Sequence, residues 1–126
     1  MMRLAILMAG AAALAGCSTA PGSGWSRASD LSVYSSAHAY ARVAWEQAVL
    51  CQGTDRARAT ASFEREFGAR EAAVRAALVE RHGEAALAQA GTHFVQRVPC
   101  GDVPDPQWRA RYARLLRLLE IRLGLA

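Results

Sequence analysis

The sequence predicts an all-α fold: a small three- or four-helix bundle with one disulfide, preceded by a flexible tether. Three observations predict it. Beyond residue 29, apolar residues recur at three- and four-residue steps through most of the chain, the period of helices with one buried face. Two cysteines of this region, Cys51 and Cys100, form an even pair. The stretch His93–Val98 alternates weakly, and a single short strand has nothing to pair with, so it reads as an extended loop.

The tether comes first. Residues 18–28 (STAPGSGWSRA) are small and polar and are broken by Pro21, Gly22 and Gly24, the composition of a flexible spacer. Trp25 is its one large apolar residue, fit either to pack on the domain or to sit at a bilayer interface. The first helix runs from about Ser29 to Leu50, with Ser29 or Asp30 as N-cap. On a helical projection Tyr34, Ala37, Ala41, Ala44, Trp45, Ala48 and Cys51 share one side, with Arg42 and Glu46 opposite. This places Cys51 on the buried face. Gln52-Gly53-Thr54-Asp55 supplies a C-cap and then the next N-cap.

The second helix covers about Asp55 to His82. Gly68 lies inside it, at a cost of about 1 kcal/mol relative to alanine. Phe63, Phe67, Val74 and Leu78 nevertheless keep one phase across the glycine, so the helix is expected to continue. Glu66–Arg70 and Glu71–Arg75 are spaced as i,i+4 pairs on its flanks. Gly83 ends or interrupts this helix, and residues 84–90 offer another turn or two. Asp105 at N-cap and Pro106 at N1 then open the last helix, which runs through Leu123 to Gly124.

Composition narrows the function. All 15 basic residues are arginine, alongside much alanine and glycine, a bias expected of GC-rich coding rather than of nucleic-acid chemistry. The arginines are spread along the chain without interleaved aromatics, unlike a single-strand binding surface. No Gly-x-Ser-x-Gly elbow occurs, so His38, His82 and His93 read as surface or capping residues, His82 at a helix C-terminus where an imidazolium is favoured. The carboxylate pairs Glu64/Glu66 and Glu80/Glu84 read as solvated acids, since a chain this short rarely builds the cleft that paired-carboxylate hydrolysis needs. The aromatic residues lie mainly on core-facing stripes. The expectation is a non-enzymatic domain with no catalytic residues, cofactor or metal. The rival is a small-molecule or metal binder, less readily a hydrolase, with one of the three histidines at its site.

The N-terminus carries the most specific motif. Arg3 precedes an uncharged run of 13 residues, Leu4 to Gly16, short of the roughly 18 that span a bilayer. This is the anatomy of a secretory signal. At its end Leu14-Ala15-Gly16-Cys17 resembles the lipobox of bacterial lipoprotein precursors; an ordinary secretory signal followed by a chance cysteine is the alternative. The resemblance covers residues 1–20. It implies cleavage before Cys17, a diacylglyceryl thioether on its sulfur and often acylation of the new amine. Two or three chains make such an anchor essentially permanent. Ser18, where an aspartate commonly means inner-membrane retention, implies the periplasmic face of the outer membrane. The rest of the chain resembles only small uncharacterised proteobacterial lipoproteins.

The domain organisation is therefore a signal peptide over 1–16, lipidated Cys17 and tether over 17–28, and a helical domain over 29–126. The mature chain carries 14 arginines against 11 acids, a net charge of +3. In an exported protein Cys51 and Cys100 read as a disulfide; a buried free pair or a metal site are the alternatives, and no Cys-x-x-Cys or His-x₃-His spacing supports metal.

The last helix carries the remaining signal. Trp108, Tyr112, Leu115, Leu116, Leu119 and Leu123 form a stripe about 100° wide, enough to dock it on its neighbours. Leu118, Ile121 and Leu125 point elsewhere, rimmed by Arg111, Arg114 and Arg122. Either this helix is central and buries both sides, or the second face meets an envelope protein or an anionic lipid surface. Together these readings describe a lipid-anchored accessory or protein-interaction module of the cell envelope.

Overall fold

The structure, a computed structural model, describes residues 24–91, Cys100 and 105–126. Cys17 and His93 lie outside the described residues. The order is a short 3₁₀ turn (Trp25–Arg27), α1 (Asp30–Leu50), α2 (Arg56–Phe63), a π-helical turn (Glu64–Gly68), α3 (Ala69–His82), α4 (Glu84–Gly91) and α5 (Asp105–Arg122). The predicted second helix is thus continuous from α2 to α3. Counted as one rod, it makes a bundle of four helices among the described residues.

Local sequence sets the boundaries. The Ser29 hydroxyl accepts from the Ser32 amide at 3.2 Å, and the Asp55 carboxylate from the Arg58 amide at 3.2 Å. Each cap satisfies an amide that a helix start leaves open. Gly83 sits at φ 87°, a conformation that stops α3 without a side-chain clash.

α1 and α5 share the longest interface and run antiparallel. Trp108, near the start of α5, packs with Val43 and Ala44 in the second half of α1. Arg122, in the last turn of α5, reaches the residues just before α1. α2 and α3 lie beside both, with His82 at the end of α3 close to Asp30 at the start of α1. The core is Val33, Tyr34 and Ala37 of α1, Phe67, Val74 and Leu78 of the second rod, Leu87 of α4, and the whole predicted α5 stripe from Tyr112 to Leu123.

The buried face of α1 is broader than the predicted stripe. Val33, Val43 and Gln47 are buried as well, while Ala41 and Trp45 are only half-buried, because α1 meets α2, α4 and α5 on different sides. Cys51 is exposed, which corrects its placement on the buried face. α1 ends at Leu50, and the chain then turns away through Gly53 at φ 68°. The cysteine therefore lies past the packed stripe, at the periphery. Its bond to Cys100 is formed all the same, with the Cα atoms 5.6 Å apart, inside the range that permits a disulfide.

The expected helix-flank pair Glu66–Arg70 is redirected. Arg70 and Glu66 do not bridge each other. Arg70 grips Glu120 through two hydrogen bonds of 2.6 and 3.1 Å, and Glu66 accepts from Arg109 at 2.8 Å. Partners on α5 that are held by packing outcompete a neighbour on the same exposed helix face.

Candidate functional site

The predicted second face of α5 is partly present. Ile121 is 59% exposed and Leu125 43%, among the most exposed large apolar side chains described. Leu118 is half-buried and packs on the core. It borders the main stripe closely enough for α5 to cover it on docking. The arginines divide in the same way. Arg111 lies over the Trp108 ring, 4.6 Å from its centroid, and 6.0 Å from that of Tyr40. Arg122 donates to the carbonyls of Ala28, at 2.6 Å, and of Trp25, and pairs with Asp30 at 3.4 Å. Only Arg114 of the three is exposed. Arg117, which the sequence reading passed over, is exposed beside it and completes the strip Ala110, Arg114, Arg117, Ile121 at helical spacing.

Of the histidines, His82 stands 3.9 Å from Asp30 at the end of α3. His38 and Glu71 line one cavity together with Tyr34 and Tyr112. Convergence of a histidine and a carboxylate was the arrangement a binding or catalytic site would need. This cavity holds about 20 Å³, room for one water and far below the several hundred Å³ of small-molecule sites. The Tyr112 hydroxyl donates to Glu71 at 3.2 Å. Burial first, and the neighbouring Glu71 charge second, push its phenol well above the ordinary range. It stays a neutral donor. Burial likewise raises the Tyr34 phenol. The cavity is a small, mainly apolar void in the core, edged by the Tyr34 and Tyr112 rings, His38 and Glu71.

The carboxylate pairs are also dispersed. Glu64 folds back over Gly68, Glu66 pairs with Arg109, and Glu80 and Glu84 are exposed on either side of Gly83. No cluster of three or more histidines, cysteines or acids with metal-holding geometry occurs among the described residues.

A larger cleft of about 440 Å³ lies between the end of α1 and α2, lined by Arg58, Ser62, Arg65 and Arg109 above Ala48 and Ala59. Arg58, Ser62 and Arg65 share one helix face at i, i+4 and i+7. Arg109 enters from α5, bonded to Ser62 at 3.1 Å and stacked 4.3 Å from the Phe63 ring centroid. The lining has three guanidiniums and no carboxylate; Arg109 is already paired with Glu66 outside it, which leaves Arg58 and Arg65 as the charges that suit an anion. The sequence reading singled out none of these arginines: Arg58 and Arg65 share a face by helical spacing, and Arg109 joins them only through the tertiary fold.

Comparison with known protein families, curated proteins and solved structures finds no match. No helix among the described residues is long and apolar enough to cross a membrane.

Proposed function

We propose that this protein is a lipid-anchored, non-enzymatic accessory module of the bacterial cell envelope, held on the periplasmic face of the outer membrane through Cys17 and working by surface contact. The observation that carries the reading is the junction of Leu14-Ala15-Gly16-Cys17 with a domain whose two remaining cysteines are bonded. Disulfides persist in oxidising compartments, which is where a lipobox sends its cargo. The exposed outer side of α5 is the contact surface.

The test is made on the protein expressed in its bacterium. Mass spectrometry of the mature N-terminus is expected to find acylated Cys17, and Cys17→Ser is expected to accumulate as unprocessed precursor. Cleavage and unchanged membrane fractionation of Cys17→Ser would overturn the anchor.

A second reading, a small-ligand binder, is favoured by the arginine-lined cleft. Neither of the described histidines, His38 and His82, lines it. The ligand class it suits is a small phosphate- or carboxylate-bearing anion. Titration with inorganic pyrophosphate at constant ionic strength measures it: saturable binding lost in Arg58→Gln/Arg65→Gln, and retained in Arg114→Gln/Arg117→Gln, would establish the cleft as a site. Equal losses in both pairs would reduce it to general charge attraction.

A further inference from the structure

We infer that the outer face of α5 docks on the anionic surface of the same bilayer that holds Cys17, so that the domain lies against the membrane rather than swinging free on its tether. This rests on the lipid-anchor reading and names what the α5 face contacts.

The first observation is where the tether enters. Arg122 clamps the carbonyls of Trp25 and Ala28 to the last turn of α5. Its partner Asp30 is also approached by Arg81 and His82, each at 3.9 Å. The first described residues are therefore fixed beside the end of α5 that carries Ile121 and Leu125. Six residues lie between Cys17 and Gly24, which limits their separation to about 25 Å. Arg114 lies eight residues before Arg122, about 12 Å along the helix. The whole segment 114–125 falls within reach of the anchored bilayer.

The second observation is what that segment presents. Arg114, Arg117, Ile121 and Leu125 are all exposed; helical spacing keeps the first three on one strip, and Leu125 follows the end of α5, past Gly124 at φ 73°. The acid of this part of the helix, Glu120, is buried and bonded to Arg70. The strip is thus cationic and aliphatic without a carboxylate, the composition of helices that lie in a bilayer interface. Arginines near anionic headgroups are attracted over about a Debye length. Exposed Arg27 sits at the same end and adds to the positive charge, while Trp25 is half-buried and packs on the core. Two aliphatic side chains and a few arginines bind weakly on their own. A short tether raises their effective concentration at the surface enough to matter.

The experiment uses the mature chain, residues 17–126, with Cys17 coupled to a maleimide lipid in nanodiscs that carry a paramagnetic headgroup. Chemical coupling supplies the anchor, so docking is read out whether or not the cell acylates Cys17; mass spectrometry of the native N-terminus tests acylation separately. In discs containing phosphatidylglycerol, paramagnetic broadening of amide resonances is expected to be strongest over 114–125. It is expected to be lost in all-phosphatidylcholine discs, in 1 M salt, and in Ile121→Glu/Leu125→Glu, whose exposed positions leave the fold intact by circular dichroism. Broadening spread evenly over the domain, or centred on another face, would overturn the proposal. So would protection of the strip that tracks protein concentration in the absence of lipid, since a second copy would then be its occupant.

Discussion

Glu120 is a buried carboxylate held by one partner. It is 8% exposed, and both of its oxygens accept from Arg70. These bonds hold its carboxyl below the ordinary value of 4.5, against the opposing effect of burial. A carboxyl with a depressed folded pKa contributes stability that is complete above its ordinary value. That contribution is lost as the pH falls through the folded value. The domain is therefore expected to weaken on acidification below pH 4.5, and Glu120→Gln to flatten that part of the curve. At neutral pH the substitution is expected to cost about 1–3 kcal/mol, towards the lower end because the Arg70 side chain is 39% exposed and rehydrates. Melting temperature against pH for both proteins checks it; parallel curves would sink the assignment. The pair was illegible in the sequence, where helix spacing offers Arg70 a partner at Glu66. Fifty residues separate Arg70 from Glu120, and only the packing of α3 on α5 brings them together. The same holds for Arg122, whose partners are backbone carbonyls more than ninety residues away.

Elements were far more legible, because caps and periodicity are local. Ser29 and Asp55 cap as their chemistry requires, and the apolar phase of Phe67, Val74 and Leu78 carried the second helix across Gly68. What periodicity could not show is that the crossing is made by a π-helical turn, Glu64–Gly68, which sets both Phe63 and Phe67 against the Tyr112 ring. The two interior glycines then separate cleanly. Gly68 has helical dihedrals, φ −54° and ψ −48°, and an added Cβ would meet only the Glu64 Oε2 atom, at 2.7 Å. That atom ends a flexible, exposed side chain and can move away. Gly68→Ala is expected to stabilise by about 0.5–1 kcal/mol through helix propensity. Gly83 has open space around it but φ 87° and ψ 156°, a region essentially restricted to glycine. Gly83→Ala is expected to destabilise by about 1–3 kcal/mol. Urea unfolding of the two variants checks the pair, and a loss at Gly68 as large as that at Gly83 would contradict it.

At the scale of the whole molecule the bond between Cys51 and Cys100 matters most for how α1 and α5 find each other. Their antiparallel interface is the largest in the bundle, yet along the backbone the end of α1 and the start of α5 are separated by α2, the π turn, α3 and α4. The disulfide, with a sequence separation of 49, replaces that route by a five-residue step from Cys100 to Asp105. α1 and α5 become in effect a helical hairpin, and the remaining rods pack onto it. The existence of the pair was legible in the two cysteines left over once Cys17 is assigned to the proposed anchor. Its position at the rim was not, because a helical projection continues past the point where α1 stops. Closing a loop of this length stabilises by about 4 kcal/mol through the unfolded chain's lost entropy. Domains of this size have only about 5–15 kcal/mol in total. Both cysteines are exposed, so a reductant reaches the bond without prior unfolding. Reduction, or Cys51→Ser/Cys100→Ser, is expected to lower the melting temperature by roughly 15–30 °C, and thiol labelling of the unfolded, unreduced protein to find neither cysteine. The helix content at low temperature is expected to survive, because the Tyr112–Leu123 stripe stays intact in the core. A melting temperature indifferent to reductant would mean that α1 and α5 pair without help from the bond, and loss of all helix on reduction would mean that their buried stripe cannot hold them.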